Sequence, residues 1–513
     1  MIFDDPIFPQ DFKKWIWKKS DNKILIMLTL ISTIILYIIF IRLYPFPNFL
    51  PDSYSYIDTA YRNNNINIWP VGYSKFLRFI SVFNHTDKGL FLTQYFILQS
   101  SILLLLLTVK YLLHLGKWYS IIVSSLLLLN PLNLYVSNFI SSDSIFAAFS
   151  LLWLTSLIWI IFYPGRRLFL FHGLTLAFVF SVRYNALYYP IISLFIIVLF
   201  TKALWKEKLL WAGLSILPVV LFIGHTIYEY KQKTDTIQFS PFGGWQLASN
   251  AMYMYSHVSP KTKEPIPLPF KKLHTITTNH MDSIRRLKGK DKPDNDLGIY
   301  YLWNDNAPLR TYFRDRWKKD STTSYLKRWA LLAPVYGDYG AWLIKQFPLD
   351  YIKYYLWPNM ISYYAPPTEF LGIYNMGSDS VDQSAVRWFG YKTSTVRSYS
   401  KDKKIRLTEI YTITLPLINI VFFTGFLGFF FIEGFKQVSK NYKKTLYLTL
   451  IIWSSNLFFS VFASPIVLRY QMFPMIFTLT FGAILLSHVI RESFHPLAKE
   501  SKIPFNNIPS VIN

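Results

Sequence analysis

The chain has 513 residues, 52% hydrophobic and 19% aromatic, with only 16% charged, whereas a soluble domain carries about a quarter charged residues; the expected class is therefore an all-α polytopic membrane protein. A formal charge of +24 would point to nucleic acid in a soluble protein. Here Lys and Arg fall at the ends of apolar runs and in one long polar segment, so the expected partners are anionic membrane lipids or a phosphorylated substrate, with no nucleic acid, and the absence of cysteine excludes disulfides, thiolate metal sites and a cysteine nucleophile.

The first apolar run, Ile24 to Leu43, has no charge except Arg42 and is long enough to cross a hydrocarbon core. No small-residue cleavage site follows, so it reads as a span and not as a signal peptide. The loop at 45–90 then carries Asp52-Ser53-Tyr54-Ser55-Tyr56-Ile57-Asp58 and Trp69-Pro70-Val71-Gly72-Tyr73-Ser74-Lys75, which predict two short amphipathic helices parted by a Pro/Gly turn. Further apolar runs cover Phe91 to Leu113, Trp118 to Ile140 with an interruption at Asn130-Pro131, Ile145 to Tyr163, Leu168 to Val182, Ala186 to Leu204, and Leu209 to Tyr228.

The segment Glu229 to Glu409 is long enough for a core of its own and reads as mainly helical. His274 to Leu287 and Pro348 to Met360 are expected helices, Pro265 to Pro269 extended, and Lys288 to Asp296 a solvated loop. Tyr351, Tyr354, Tyr355, Leu356 and Trp357 give the second of these helices an aromatic face suited to a membrane surface. Gly243-Gly244 reads as a plain turn or as a helix start offering N–H groups to a phosphate. Runs at Ile410 to Phe431, Leu446 to Ala463 and Tyr470 to Ile490 bring the expectation to about ten transmembrane helices. The parts are a membrane half at 1–228, an extracytoplasmic domain at 229–409 between spans seven and eight, a three-span part at 410–490 and a tail at 491–513.

Basic residues set the orientation. Lys13, Lys14, Lys18, Lys19, Lys117, Arg166, Arg167, Lys202, Lys206, Lys208, Lys436, Lys440, Lys443 and Lys444 all fall on one side of this arrangement, which the positive-inside rule assigns to the cytoplasm together with both termini. The expected setting is a plasma (inner) membrane protein. Asp52, the turn with Asp143, the turn Arg183-Tyr184-Asn185, the 229–409 segment and the turn Arg469-Tyr470 then lie outside. A carboxylate at the edge of a span is a functional candidate by default.

An acidic residue opening the first outer loop, two juxtamembrane helices with a Pro/Gly turn, a second acidic residue capping the fourth span, and an Arg-Tyr pair before Pro474 together resemble the glycosyltransferase C superfamily. The likeness is to the bacterial relatives of protein O-mannosyltransferases and lipid A aminoarabinose transferases. It covers about Ile24 to Tyr228 plus the Arg469 turn. The chain departs from that pattern where Ser53 stands in place of a paired acid and where Trp69-Pro70-Val71-Gly72 replaces Arg-Pro-Pro-Gly.

The resemblance implies a GT-C-like fold and transfer of a sugar from a polyprenyl-phosphate donor to an envelope glycan, glycolipid or protein acceptor. It implies Asp52 as general base and Asp143 as a second catalytic carboxylate, one that orients the acceptor, positions an arginine or holds a divalent cation with Asp52. Arg183 and Arg469, with Lys75 and Arg78 behind them, would hold the donor phosphate. Tyr54, Tyr184 and Tyr470 would contact substrate, and a divalent cation such as Mg or Mn, if used, would sit on Asp52 and Asp143.

Each residue also has a plainer reading: Asp52 or Ser53 as the N-cap of the first-loop helix and Asp143 as the cap of the fourth span, and the arginines as lipid anchors. The alternative class is a multi-span transporter or flippase for lipid-linked intermediates, which would show half-repeats and broken helices at the midplane. A receptor or assembly factor would need no convergence of the four charges.

Overall fold

Runs of Leu, Ile and Phe become helices wherever every backbone polar group has to be satisfied within its own segment. The computed structural model describes residues 10–258, 265–287, 292–293, 296–399 and 403–494, and among these residues it has helices and isolated bridges but no strand. A short α1 (Gln10–Lys18) precedes α2 (Ser20–Leu43). The first loop forms the two expected helices, α3 (Pro51–Tyr61) and α4 (Gly72–Phe83). Then come α5 (Asp87–Leu112), α6 (Lys117–Leu128) and α7 (Pro131–Asn138). The break between α6 and α7 falls at Asn130-Pro131, since Pro131 brings no N–H and Asn130 accepts the Leu132 N–H at 2.9 Å instead.

Next are α8 (Asp143–Phe162), α9 (Arg166–Val182), α10 (Tyr189–Phe195) and α11 (Trp205–Thr234). Among the described residues, eight helices, with Lys117–Asn138 taken as one, are long and apolar enough to cross a membrane, so the chain is a multi-pass membrane protein. The expected runs 168–182 and 186–204 are shorter helical segments, a 17-residue α9 and a Tyr184–Phe200 stretch that starts as a 3-10 turn and ends as a π turn.

Helix ends sort into two groups. Lys110 donates to Asn22, Lys208 to the Val198 carbonyl and Lys444 to the Phe200 carbonyl, which gathers basic residues of the terminal helical turns at one end of the bundle. Asp143, Arg183 and Arg469 meet at the other.

The long polar segment has two parts. The first comprises α12 (Phe242–Tyr255), α13 (Lys271–Arg285), α14 (Tyr300–Trp303), α15 (Pro308–Trp317), α16 (Tyr325–Gln346), α17 (Pro348–Tyr351) and α18 (Trp357–Tyr364). It has its own aromatic core, in which Trp245 stacks on Trp329 at 3.8 Å. Gly244 serves that core: a Cβ there would lie 1.9 Å from the Ala333 carbonyl oxygen, so the glycine permits close α12–α16 contact and is neither a turn nor a phosphate cradle. The expected aromatic face at 351–357 also turns inward, with Tyr351 and Tyr355 buried and stacked at 5.0 Å. A π turn at Ile352–Leu356 leaves Ile352 and Trp357 exposed instead. The expected loop 288–296 lies largely outside the described residues.

The second part, 365–410 with α19 (Gln383–Phe389), folds back over the first loop as a strap. Tyr374 donates to the Phe46 carbonyl, Tyr391 to Asp87, and the Asn375 N–H to Asn48, while Val381, Ala385 and Val396 share a core with Phe49, Tyr56 and Tyr73. The chain finishes with α20 (Tyr411–Phe431), α21 (Gly434–Gln437), α22 (Lys440–Ala463) and α23 (Met472–Phe494).

Candidate functional site

Asp143 is the first residue of α8, and its side chain is only 2% exposed. One carboxylate oxygen takes the Arg183 guanidinium; the other takes Arg469 at 3.3 Å and the Ser141 hydroxyl at 2.8 Å. Arg183 leaves α9 in an extended conformation, and Arg469 lies in the 3-10 turn Leu468–Gln471, so two chain breaks aim two guanidiniums at one buried anion. Tyr470 holds both: each guanidinium carbon lies 4.6 Å from its ring centre, and its hydroxyl accepts from Arg469 Nη2 at 2.9 Å. Gly72, from the Pro/Gly turn, packs α4 onto Ser181, where a Cβ would come within 2.3 Å of the serine Oγ. That contact seats the first loop two residues from Arg183.

Asp52 joins this cluster from α3. It is not the cap of that helix, because the N-cap is Leu50 and the Ser53 hydroxyl accepts the Leu50 N–H at 2.8 Å. Its carboxylate takes no hydrogen bond or ion pair from the described residues. It keeps part of its own surface open, as a cleft residue does, but the surrounding protein mass dominates its ionisation. Burial pushes its pKa from 3.8 up to about 6; Arg469 and Arg183 pull it down, while Asp143 and Glu369 raise it further. A carboxylate near pH 6 without a partner is suited to taking a proton from a neutral hydroxyl.

Glu369 was not among the sequence candidates. It comes from the strap, with Oε2 3.4 Å from Arg469 Nε, too poorly aligned to count as a hydrogen bond. Its backbone is left-handed, φ 47°, a conformation costing roughly 1–2 kcal/mol outside glycine. Burial raises its pKa, against the pull of Arg469. A hundred residues separate Glu369 from Arg469 in sequence, and only the Pro366-Pro367 pair before it hints at a fixed loop; the Leu468 N–H bond to the Pro367 carbonyl, 2.9 Å, brings the two together. Tyr56 was also missed. Its hydroxyl lies 3.4 Å from Ser142 Oγ, beside Asp52 and Arg183.

Other candidates stand elsewhere. Lys75 Nζ is held by Asn63 and Asn65, and Arg78 Nη1 donates to the Ala60 carbonyl at 3.1 Å. Both tie α4 to the end of α3 and do not reach the arginines. Tyr54 stacks on Phe49 at 5.7 Å beneath the strap, and Tyr184 packs on Phe239 at 4.4 Å. Neither is brought to the cluster. A divalent cation does not fit Asp143, whose oxygens are both taken by guanidiniums, and no group of three or more His, Cys, Asp or Glu among the described residues is arranged to hold a metal.

Comparison with protein-family models, with curated proteins and with solved structures gives no match.

Proposed function

We propose that this protein is an integral-membrane glycosyltransferase that moves a sugar from a polyprenyl-phosphate donor to an envelope glycan, glycolipid or protein acceptor at the outer face of the membrane. The observation that carries the reading is Asp52: an unpartnered carboxylate, relieved of capping by Ser53 and raised to about 6, beside two buried guanidiniums on one tyrosine ring. In this scheme Asp52 takes the acceptor hydroxyl proton as that oxygen bonds to the anomeric carbon. The bond from the anomeric carbon to the phosphate oxygen breaks, and the leaving phosphate keeps the electron pair, its charge met by Arg183 and Arg469.

Asp143 acts by holding both arginines, so its role is positioning and not acid–base work. Glu369 and the strap close the outer side, where an acceptor would arrive. The transporter reading has one feature in its favour, the Asn130-Pro131 break, but that break contains no ionisable residue, whereas transport sites at broken helices depend on charge.

The test is mass spectrometry of envelope glycans from cells with the wild-type protein, without it, and with Asp52→Asn. Loss of one sugar in both the deletion and the variant supports the reading. Intact glycans in the deletion strain would sink it.

A further inference from the structure

At the end of the bundle opposite Asp52, a groove of about 490 Å³ separates α2 from α6 and the end of α5. We propose that it binds one acyl chain of an anionic phospholipid whose phosphate sits between Lys110 and Lys117. On α2 the lining runs from Asp21 to Leu36 and on α6 from Lys117 to Leu129, lengths of about 22 and 18 Å at the helical rise. Half of a hydrocarbon core is about 15 Å, so the groove is one leaflet deep. It stops where the Asn130-Pro131 break ends α6.

The α6 wall is kept open by Ser120, Ser124 and Ser125, small side chains where a packed helix pair would carry Leu or Ile. Ser124 is 4% exposed and its hydroxyl oxygen is enclosed by protein, so the wall it contributes to the groove is apolar. Charge selects the head group. Lys110 spends one donor on Asn22 Oδ1 at 2.9 Å, Lys117 makes no ion pair among the described residues, and Lys19 stands near Lys110 as well, with Asp21 the one carboxylate acting on Lys110 among the described residues. The site is separate from the arginine cluster and does not depend on the proposed activity.

The protein is purified in detergent, stripped of lipid, and titrated with phosphatidylglycerol and phosphatidylcholine by native mass spectrometry. The wild type should prefer phosphatidylglycerol, and Lys110→Gln with Lys117→Gln should reduce that preference about 30-fold, roughly five-fold per lysine. Lys440→Gln with Lys443→Gln, on α22, should leave it unchanged. Ile121→Trp, which fills the groove from a lipid-exposed position, should reduce binding of both lipids with the lysines intact. An unchanged preference in the Lys110/Lys117 variant, an equal loss in the α22 control, or full binding by Ile121→Trp would each overturn the proposal.

Discussion

Replacing Asp52 with Asn should make the protein more stable and inactive, and the size of the first effect follows from its ionisation. The native pKa of about 6, against 3.8, means the folded protein binds this proton more tightly than the unfolded chain. The stability that this proton contributes is therefore fully present below about pH 4 and is lost as pH rises through about 6. At 1.36 kcal/mol per pKa unit the ionised carboxylate costs the fold roughly 3 kcal/mol at pH 8 and about 1 kcal/mol at pH 4.5. Asn keeps the shape and removes that cost, and the helix loses no cap because Ser53 supplies the bond to Leu50. Thermal unfolding at pH 8 and 4.5, at one scan rate because large membrane proteins unfold irreversibly, should show a higher midpoint for the variant at pH 8 and a smaller gap at pH 4.5. Sugar transfer should be lost. A midpoint at pH 8 at or below wild type, or near-normal turnover, would refute the reasoning.

The remaining expectations concern the neighbours. Turnover measured as kcat/KM against pH should fall on the acid side with a midpoint near 6, where Asp52 becomes protonated; a midpoint near 4 would assign the base elsewhere. Asp143→Asn leaves Arg183 and Arg469 buried without their shared anion and should cost about 3–5 kcal/mol, read as a lowered unfolding midpoint. Arg183→Lys and Arg469→Lys should raise KM for the donor by about ten-fold or more, while Lys75→Gln and Arg78→Gln, which touch only the first loop, should leave it within about two-fold. Glu369→Gln should lower KM for the donor at neutral pH, since a carboxylate competing for Arg469 is removed; a raised KM would place Glu369 on the substrate instead.

Much of the architecture was legible because lipid leaves the chain few options: apolar runs became helices at the expected places, the break at Asn130-Pro131 followed from the missing proline N–H, and the first loop formed its two helices. Where spans became short or irregular, at α9 and at Tyr184–Phe200, hydropathy could count residues but not say how the helix would wind. The site was half legible. Asp143, Arg183 and Arg469 could be found because each stands at a span end, Asp52 because it is an acid in the loop after the first span, and Tyr470 because it adjoins Arg469. Lys75 and Arg78 drew attention by charge alone, yet carbonyls and amides of the same loop absorb them. Glu369 escaped notice because its placement depends on the strap crossing the bundle, a contact between distant segments that no local pattern encodes.

Charge balance ties these placements to one another. Asp143 opposes both guanidiniums, Glu369 competes for Arg469, and Asp52 feels the arginines only at a distance. A phosphate brought into this set would add negative charge to a site whose carboxylates already outnumber its guanidiniums. Asp143 is fixed between two arginines and Ser141, so it is the wrong group to yield. Glu369 is poorly aligned, held in a left-handed backbone and already easier to protonate than an ordinary glutamate; it is the group that would give way, by protonation or by movement of the strap. The phosphate would then take the Nε face of Arg469 while Asp143 keeps both guanidiniums aimed. Its charge, close to Asp52, would raise the basicity of that carboxylate further at the moment an acceptor hydroxyl has to lose its proton. Under the proposed mechanism, Asp52 is the one carboxylate of the three left free to perform that step.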